Sequence, residues 1–334
     1  MFNLPAIAIP LMISASFLAG CSRVSNAPSE DLPVVGYPVA MSKVKLTNQI
    51  GDEMPASILT NDSVPFLNVT LDGQTRMCEK PAFKQQPLRN TLGRYVKSRL
   101  DGTFLSLPWG NSQAWVKGYA ALELPGDGAS IFICGGDESP DRVRFAADQT
   151  WLCNLPSGRI TKGPEMHWPR RSPSLTRLAD GKILICGGSG GFVSNSESLV
   201  NASPLVKLPL AVEIYDPATN TISDGGALQR PRDQATVVAL QDGKVLIIGG
   251  ESPSDQSTQN TSHPIIPTVE RYDPARKQSK MLGTLAELTS ITWTARIGQS
   301  QLLLLGSQMG LDIQSADFRQ PAVELVSSEE PKRR

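Results

Sequence analysis

The chain has 334 residues, enough for one large domain or two ordinary ones, and a hydrophobic content of 40% suffices for a folded core. Its 32 basic and 32 acidic residues cancel, which excludes the global positive field that gathers nucleic acid or anionic lipid. Only 19% of residues are charged, against 28 Gly and 26 Pro, so short elements joined by turns are expected rather than long surface helices, which favours an all-β chain.

The chain opens on an uncharged apolar stretch, Leu4 to Ala19, that stops at Gly20 and Cys21. It contains Pro5 and Pro10 and falls short of the ~20 residues that span a bilayer, so it reads as the hydrophobic region of a secretory leader rather than a transmembrane helix. Leu18-Ala19-Gly20-Cys21 is similar to the bacterial lipobox, although no Lys or Arg precedes the apolar run and the first basic residue is Arg23. The resemblance implies a signal peptide over 1–20, cleavage before Cys21 and lipidation of its thiol. Ser22, rather than Asp, after the cysteine resembles the outer-membrane sorting class of diderm bacteria, which implies a lipoprotein facing the periplasm or the surface. Residues 21–32, rich in Ser, Asn and Pro, then read as a flexible tether.

Over 33–110, short apolar runs such as Val64 to Leu71 and Thr103 to Leu107 are separated by Asp72-Gly73 and Asp101-Gly102, and they read as strands and turns. They form either degenerate repeats or a separate β-rich segment. Beyond Trp115 the repetition is plain. Ile131-Phe132-Ile133-Cys134-Gly135-Gly136 recurs as Ile183-Leu184-Ile185-Cys186-Gly187-Gly188, as Val245-Leu246-Ile247-Ile248-Gly249-Gly250, and in decayed form as Leu303-Leu304-Leu305-Gly306-Ser307. Asp180-Gly181 and Asp242-Gly243 precede two of these runs and predict tight hairpin turns, with glycine at positive φ. A second unit follows: Val212-Glu213-Ile214-Tyr215-Asp216-Pro217 recurs as Val269-Glu270-Arg271-Tyr272-Asp273-Pro274, and fades to Thr150-Trp151-Leu152-Cys153 before it and Val323-Glu324-Leu325-Val326 after it. Alternation puts Glu and Tyr on one face of a strand that stops at Asp-Pro.

These residues resemble the kelch family, with recognisable repeats over 111–330. Gly135, Gly136, Gly187, Gly188, Gly249, Gly250, Tyr215, Asp216, Tyr272 and Asp273 match the family's structural positions. The family's later Trp is missing, with Ile222 and Ser279 standing near its place. The resemblance implies a β-propeller of four-stranded blades. The first glycines, at 135, 187, 249 and 306, step by 52, 62 and 57 residues, and the 314 residues of 21–334 divided by 52 give about six blades, with five or seven as alternatives. Ala322 to Val326 is expected to pair with an N-terminal strand and close the circle.

Reactive constellations are scarce. His167 and His263 are the chain's two histidines, too few for a copper site of the galactose-oxidase kind. No zinc-protease, nucleophile-elbow or phosphate-loop motif occurs, so no catalytic residue, metal or other cofactor is expected. Cys78, Cys134, Cys153 and Cys186 read as small apolar core residues or, for Cys134 with Cys153, as a bridge within one unit. Arg170 and Arg232 precede successive strands at equivalent positions. They either line a channel as ligand-binding groups or pair structurally, for instance with Glu213 or Asp233. The long polar loops 189–209 and 251–267 suit recognition of a protein or glycan partner. The expected function is an envelope-anchored binding module, the alternative being a sugar isomerase or mutarotase acting in the channel, as in similar kelch enzymes.

Overall fold

The computed structural model describes residues 32–60, 67–78, 94–97, 104–107, 119–124, 130–138, 145–146, 148–154, 157, 159–189, 210–252, 265–297, 300–309 and 319–329. Cys21, the expected leader over 1–20, most of the expected tether over 21–32 and most of the two long loops lie outside these residues. The chain is all-β, with several antiparallel sheets. Among the described residues there are two short 3-10 turns, Met41–Lys43 and Ala56–Thr60, and no α-helix.

The strands run in chain order β1 (Gly36–Pro38), β2 (Val44–Thr47), β3 (Leu67–Leu71), β4 (Gln74–Cys78), β5 (Arg94–Lys97), β6 (Phe104–Leu107), β7 (Tyr119–Glu123), β8 (Ser130–Gly135), β9 (Asp137–Glu138), β10 (Phe145–Ala146), β11 (Thr150–Asn154) and β12 (Arg159–Lys162). Next come β13 (Ser174–Arg177), β14 (Ile183–Cys186), β15 (Ala211–Asp216), β16 (Thr221–Ala227), β17 (Thr236–Ala239), β18 (Val245–Ile248), β19 (Thr268–Asp273), β20 (Gln278–Thr284), β21 (Ser290–Ile297), β22 (Gln301–Met309) and β23 (Arg319–Ser327).

Three antiparallel meanders repeat one plan, β7-β8-β11-β12, β13-β14-β15-β16 and β17-β18-β19-β20, and the last two are joined at their outer strands by a single parallel pairing of Ala227 in β16 with Gln278 in β20. A fourth sheet, β21-β22-β23, takes β1 as its fourth strand, with Gly36 opposite Val326 and Pro38 opposite Glu324. The pairing expected of Ala322 to Val326 with an N-terminal strand is therefore present. A three-stranded sheet, β2-β3-β4, and the hairpins β5-β6 and β9-β10 complete the described strands.

Both faces of the middle strands are apolar, so each sheet is packed on two sides. Phe132 of β8 stacks on Tyr215 of β15 with centroids 4.1 Å apart and an interplanar angle of 11°. That contact joins the first meander to the second, with Leu175, Ile183 and Ile185 around it. The second meets the third through Leu184, Val212, Val245 and Tyr272. The third meets the fourth sheet through Leu246, Val269, Leu302 and Leu304, and the fourth meets β2-β3-β4 through Trp293, Leu303, Leu67 and Val69. Successive sheets thus stack face to face in chain order, and β2-β3-β4 follows the last.

The turns use their residues as the spacing predicts. Gly181 and Gly243 adopt φ of 86° and 79°, and the preceding Asp180 and Asp242 accept from the N–H groups of Lys182 and Lys244 at 3.1 and 2.9 Å. Asp216 and Asp273 accept from the N–H groups of Ala218 and Ala275, shaping the turn after each Tyr-Asp-Pro.

Candidate functional site

Meander topology gives the sheets two unlike ends. The links between first and second strands, and between third and fourth, lie at one end. The links between second and third strands, and the passages to the next sheet, lie at the other. The first end carries the Asp-Gly and Asp-Pro turns, whose charges close on one another: Lys182 with Asp180 at 3.1 Å and Lys244 with Asp273 at 2.6 Å. The second end carries the glycine pairs, Arg170, Arg232 and the roots of both long loops.

All six residues of the three glycine pairs have positive φ, between 63° and 115°. The carbonyl of Arg232 lies 2.6 Å from where a Cβ on Gly187 would sit, and the Arg170 carbonyl crowds the same position on Gly135. This close approach explains the glycines, because an L side chain would be strained and would also displace the next sheet.

Arg170 and Arg232, expected either as ligand groups or as structural partners, are wholly buried. Arg232 donates through Nε and NH2 to Glu270 Oε1, through NH1 to the carbonyls of Gly249 and Thr268, and through NH2 to Thr268 Oγ1, at 2.6 to 2.9 Å. Every guanidinium hydrogen is used. Arg170 repeats the arrangement with Glu213 Oε2 at 3.1 Å and the carbonyls of Gly187 and Ala211 at 2.9 and 2.6 Å. The ligand-binding expectation for these two arginines is therefore corrected: their donors are spent inside their own sheets. Burial depresses the Arg232 pKa from its ordinary value, and the Glu270 charge opposes that shift.

The same slot recurs without arginine in the fourth sheet. Glu324 is buried and accepts from the N–H groups of Ala286 at 3.0 Å, Glu287 at 2.6 Å and Leu288. The third meander has Pro231 where Leu288 stands, and proline has no N–H to give. Arginine in the one case and an extra backbone donor in the other satisfy the same buried carboxylate. Ser279, near the place of the missing family tryptophan, donates its hydroxyl to Glu270 Oε2 at 2.7 Å. Tyr272 donates to the Gly225 carbonyl at 2.6 Å, and Tyr215 to Asn220 Oδ1 at 3.1 Å.

Beside these closed networks lie further groups at the same end. His167 has a 60% exposed side chain, and its Nδ1 lies 3.1 Å from Glu213 Oε1, so the imidazole is held at the surface by a buried carboxylate. Trp168, Leu210 and Ile265, exposed by 44%, 40% and 37%, belong to the links of this same end. Directly after the two buried arginines, Arg171 and Ser189 exchange two backbone hydrogen bonds of 2.8 Å, and Asp233 and Glu251 exchange two of 2.9 Å. Ser172 and Gln234, one residue further on, hold φ of 50° and 54°. Asp233 is buried, and desolvation lifts its carboxyl to about 6, with Arg171 pulling it down and Glu251 pushing it up. The signal for this cluster in the sequence is its position, directly after each buried arginine and each glycine pair.

Cys78, Cys134, Cys153 and Cys186 are buried and unbridged, so the core reading holds and the bridge between Cys134 and Cys153 is absent. Desolvation lifts the Cys78 and Cys186 thiols to about 12 and drives Cys134 higher still. Among the described residues no group of three or more His, Cys, Asp and Glu side chains is placed to hold a metal ion.

The sequence matches no family profile and no curated protein. Among solved structures, one described as "Structure of YjhT" is similar at 12% identity and a TM-score of 0.44, covering 83% of this chain and 74% of that one. A likeness of that degree bears on neither the fold nor the function. The class defined by the geometry is an all-β protein of several antiparallel sheets.

Proposed function

We propose that the chain is a six-bladed kelch-type β-propeller, anchored to the bacterial envelope through lipidated Cys21, that binds a protein or glycan partner at the end carrying its long loops. The propeller reading is supported by four four-stranded antiparallel units of one plan that follow one another in chain order, with β1 completing the last. Two more sheets come from β2-β3-β4 and β5-β6. The binding reading is carried by the asymmetry of the two ends: one closes its charges in short turns, while the other exposes Trp168, Leu210 and Ile265 beside the roots of both loops. The isomerase reading drew on arginines facing a channel, and burial of Arg170 and Arg232 withdraws that support.

The test is capture from envelope extracts by the full chain and by variants lacking 190–209 or 253–264, or carrying Trp168→Ala, each checked for β-sheet by circular dichroism. Loss of capture in the folded variants supports the reading. Undiminished capture by all of them overturns it. Mass spectrometry of the native N-terminus tests the anchor, where an unacylated Cys21 would remove it.

A further inference from the structure

We propose that the first meander, at the end where its strands turn, binds a small carboxylate with an apolar body, held by Arg159 against Leu124 and Leu152. The site lies away from the long loops and does not depend on the reading of the loop-bearing end.

The three meanders carry one row of side chains in equivalent register at this end. In the second the row is Leu178, Lys182, Asp216 and Thr221, and in the third it is Leu240, Lys244, Asp273 and Gln278. Each of these rows closes its own charge: Lys182 lies 3.9 Å from Asp216, and Lys244 lies 2.6 Å from Asp273. In the first meander the row is Leu124, Ser130, Asn154 and Arg159, with Asn154 paired in register with both Ser130 and Arg159. Serine stands in place of lysine and asparagine in place of aspartate, while a cation occupies the fourth strand, where the other rows have Thr221 and Gln278. The row therefore holds one positive charge and no acid. Among the described residues the Arg159 guanidinium has no hydrogen-bond or ion-pair partner, and the bond Arg159 makes is from its backbone N–H to Ser157 Oγ at 3.3 Å.

A cleft of about 520 Å³ lies at this row, a volume within the ~300–1,000 Å³ of small-molecule sites. Alternation puts Ser130 on the face of β8 that carries Phe132, whose ring stacks on Tyr215, so the cleft lies beyond that stack. Leu124 and Leu152 line it, Thr161 stands opposite Leu152, and Ser157 and Arg159 are exposed, so it is reached from solvent.

The lining selects the ligand. Asn154 Oδ1 accepts from the Ser157 N–H and hydroxyl at 3.1 and 2.5 Å, which leaves the amide NH2 as a donor. Ser130 and Thr161 add hydroxyls, and no described lining residue is acidic. A guanidinium fork meets a carboxylate in two parallel hydrogen bonds. One cation balances a monoanion, whereas a phosphate dianion leaves a charge unmatched, and the two leucines call for an apolar body.

The full chain is titrated calorimetrically with hexanoate and benzoate, and in parallel with hexanol, benzyl alcohol and inorganic phosphate. At least one carboxylate is expected to bind, with its alcohol and phosphate about tenfold weaker or more, and Arg159→Gln is expected to weaken the carboxylate by about the same factor. Ser130→Lys together with Asn154→Asp installs the ion pair of the other two meanders. It sets an acid beside Arg159 and a long side chain in the cleft, and loss of binding is expected. The proposal is overturned if neither carboxylate binds, if the alcohol or phosphate binds as tightly, or if either variant binds the carboxylate unchanged. Circular dichroism establishes that both variants fold, and the double variant carries only residues that this fold already holds at that register.

Discussion

Gly188 donates its backbone N–H to the carbonyl of Arg232 at 2.8 Å, and the guanidinium of the same Arg232 reaches back into its own sheet to the carbonyl of Gly249. Gly136 and Arg170 repeat the arrangement one sheet earlier, with Gly187 as the next acceptor. A chain of main-chain and arginine hydrogen bonds therefore runs from β8 through β14 to β18. Gly187 has far less room than Gly249: the Arg232 carbonyl lies 2.6 Å from where its Cβ would stand, whereas a Cβ on Gly249 would meet nothing closer than 3.7 Å. Gly187→Ala is expected to cost more than Gly249→Ala. Backbone strain alone accounts for about 1–3 kcal/mol at either position, and the clash adds to it only at Gly187. Urea denaturation of the two variants measures the difference, and equal costs would contradict the close approach.

Arg232 and Glu270 satisfy one another in a dry interior. Arg232→Met takes the guanidinium away from the buried Glu270 side chain, and a loss of about 3–5 kcal/mol is expected. Replacing both, as Arg232→Met with Glu270→Leu, is expected to cost less than the sum of the single changes. A double-mutant cycle read by chemical denaturation gives the coupling directly.

Asp233 gives stability a pH dependence of defined sign. Its folded-state pKa of about 6 exceeds its ordinary value of 3.8, so the native state holds the extra proton. The stabilising contribution of this group is full below the ordinary value and is lost as pH rises through about 6, reaching about 3 kcal/mol of destabilisation at neutral pH. Asp233→Asn is expected to unfold at higher temperature than the parent chain at about pH 7.5, with the advantage shrinking as the pH is lowered toward about 4. Parallel melting curves across that range measure it, and an advantage independent of pH would refute the assignment.

The buried thiols of Cys78, Cys134, Cys153 and Cys186 are shifted toward the protonated form by desolvation. Native protein is expected to leave all four unmodified by iodoacetamide at about pH 8 while denatured protein is alkylated at each. Peptide mass spectrometry distinguishes the two. Rapid labelling of any of them in the native state would mean that its strand opens locally.

The repeat framework was legible because it is local: Gly187-Gly188, Asp180-Gly181 and Tyr215-Asp216-Pro217 each fix a turn or a close approach within a few residues. Arg170 with Glu213 was legible as one of two alternatives, since sequence shows the partners but not their burial. Three features were not legible. Gly36–Pro38 is too short to display alternation, and its role depends on a partner at the far end of the chain. Ser279 stood out as the absence of a tryptophan, when its hydroxyl is one of the groups holding Glu270. The isolation of Asp233 Oδ1 comes from the neighbours that two different sheets provide, which no single stretch of sequence records.

The pairing of Gly36 with Val326 also sets a timetable for biosynthesis. These residues lie 290 positions apart, so β1 leaves the ribosome long before its sheet partner. Until β23 is made, β22 lacks a neighbour on one side and Glu324 is not there to gather the N–H groups of Ala286, Glu287 and Leu288. A nascent chain can complete its middle meanders one by one, but the fourth sheet waits for β23. Termination between Met309 and Arg319 would leave β1 and β22 as open edges, the features through which unfinished β-proteins aggregate.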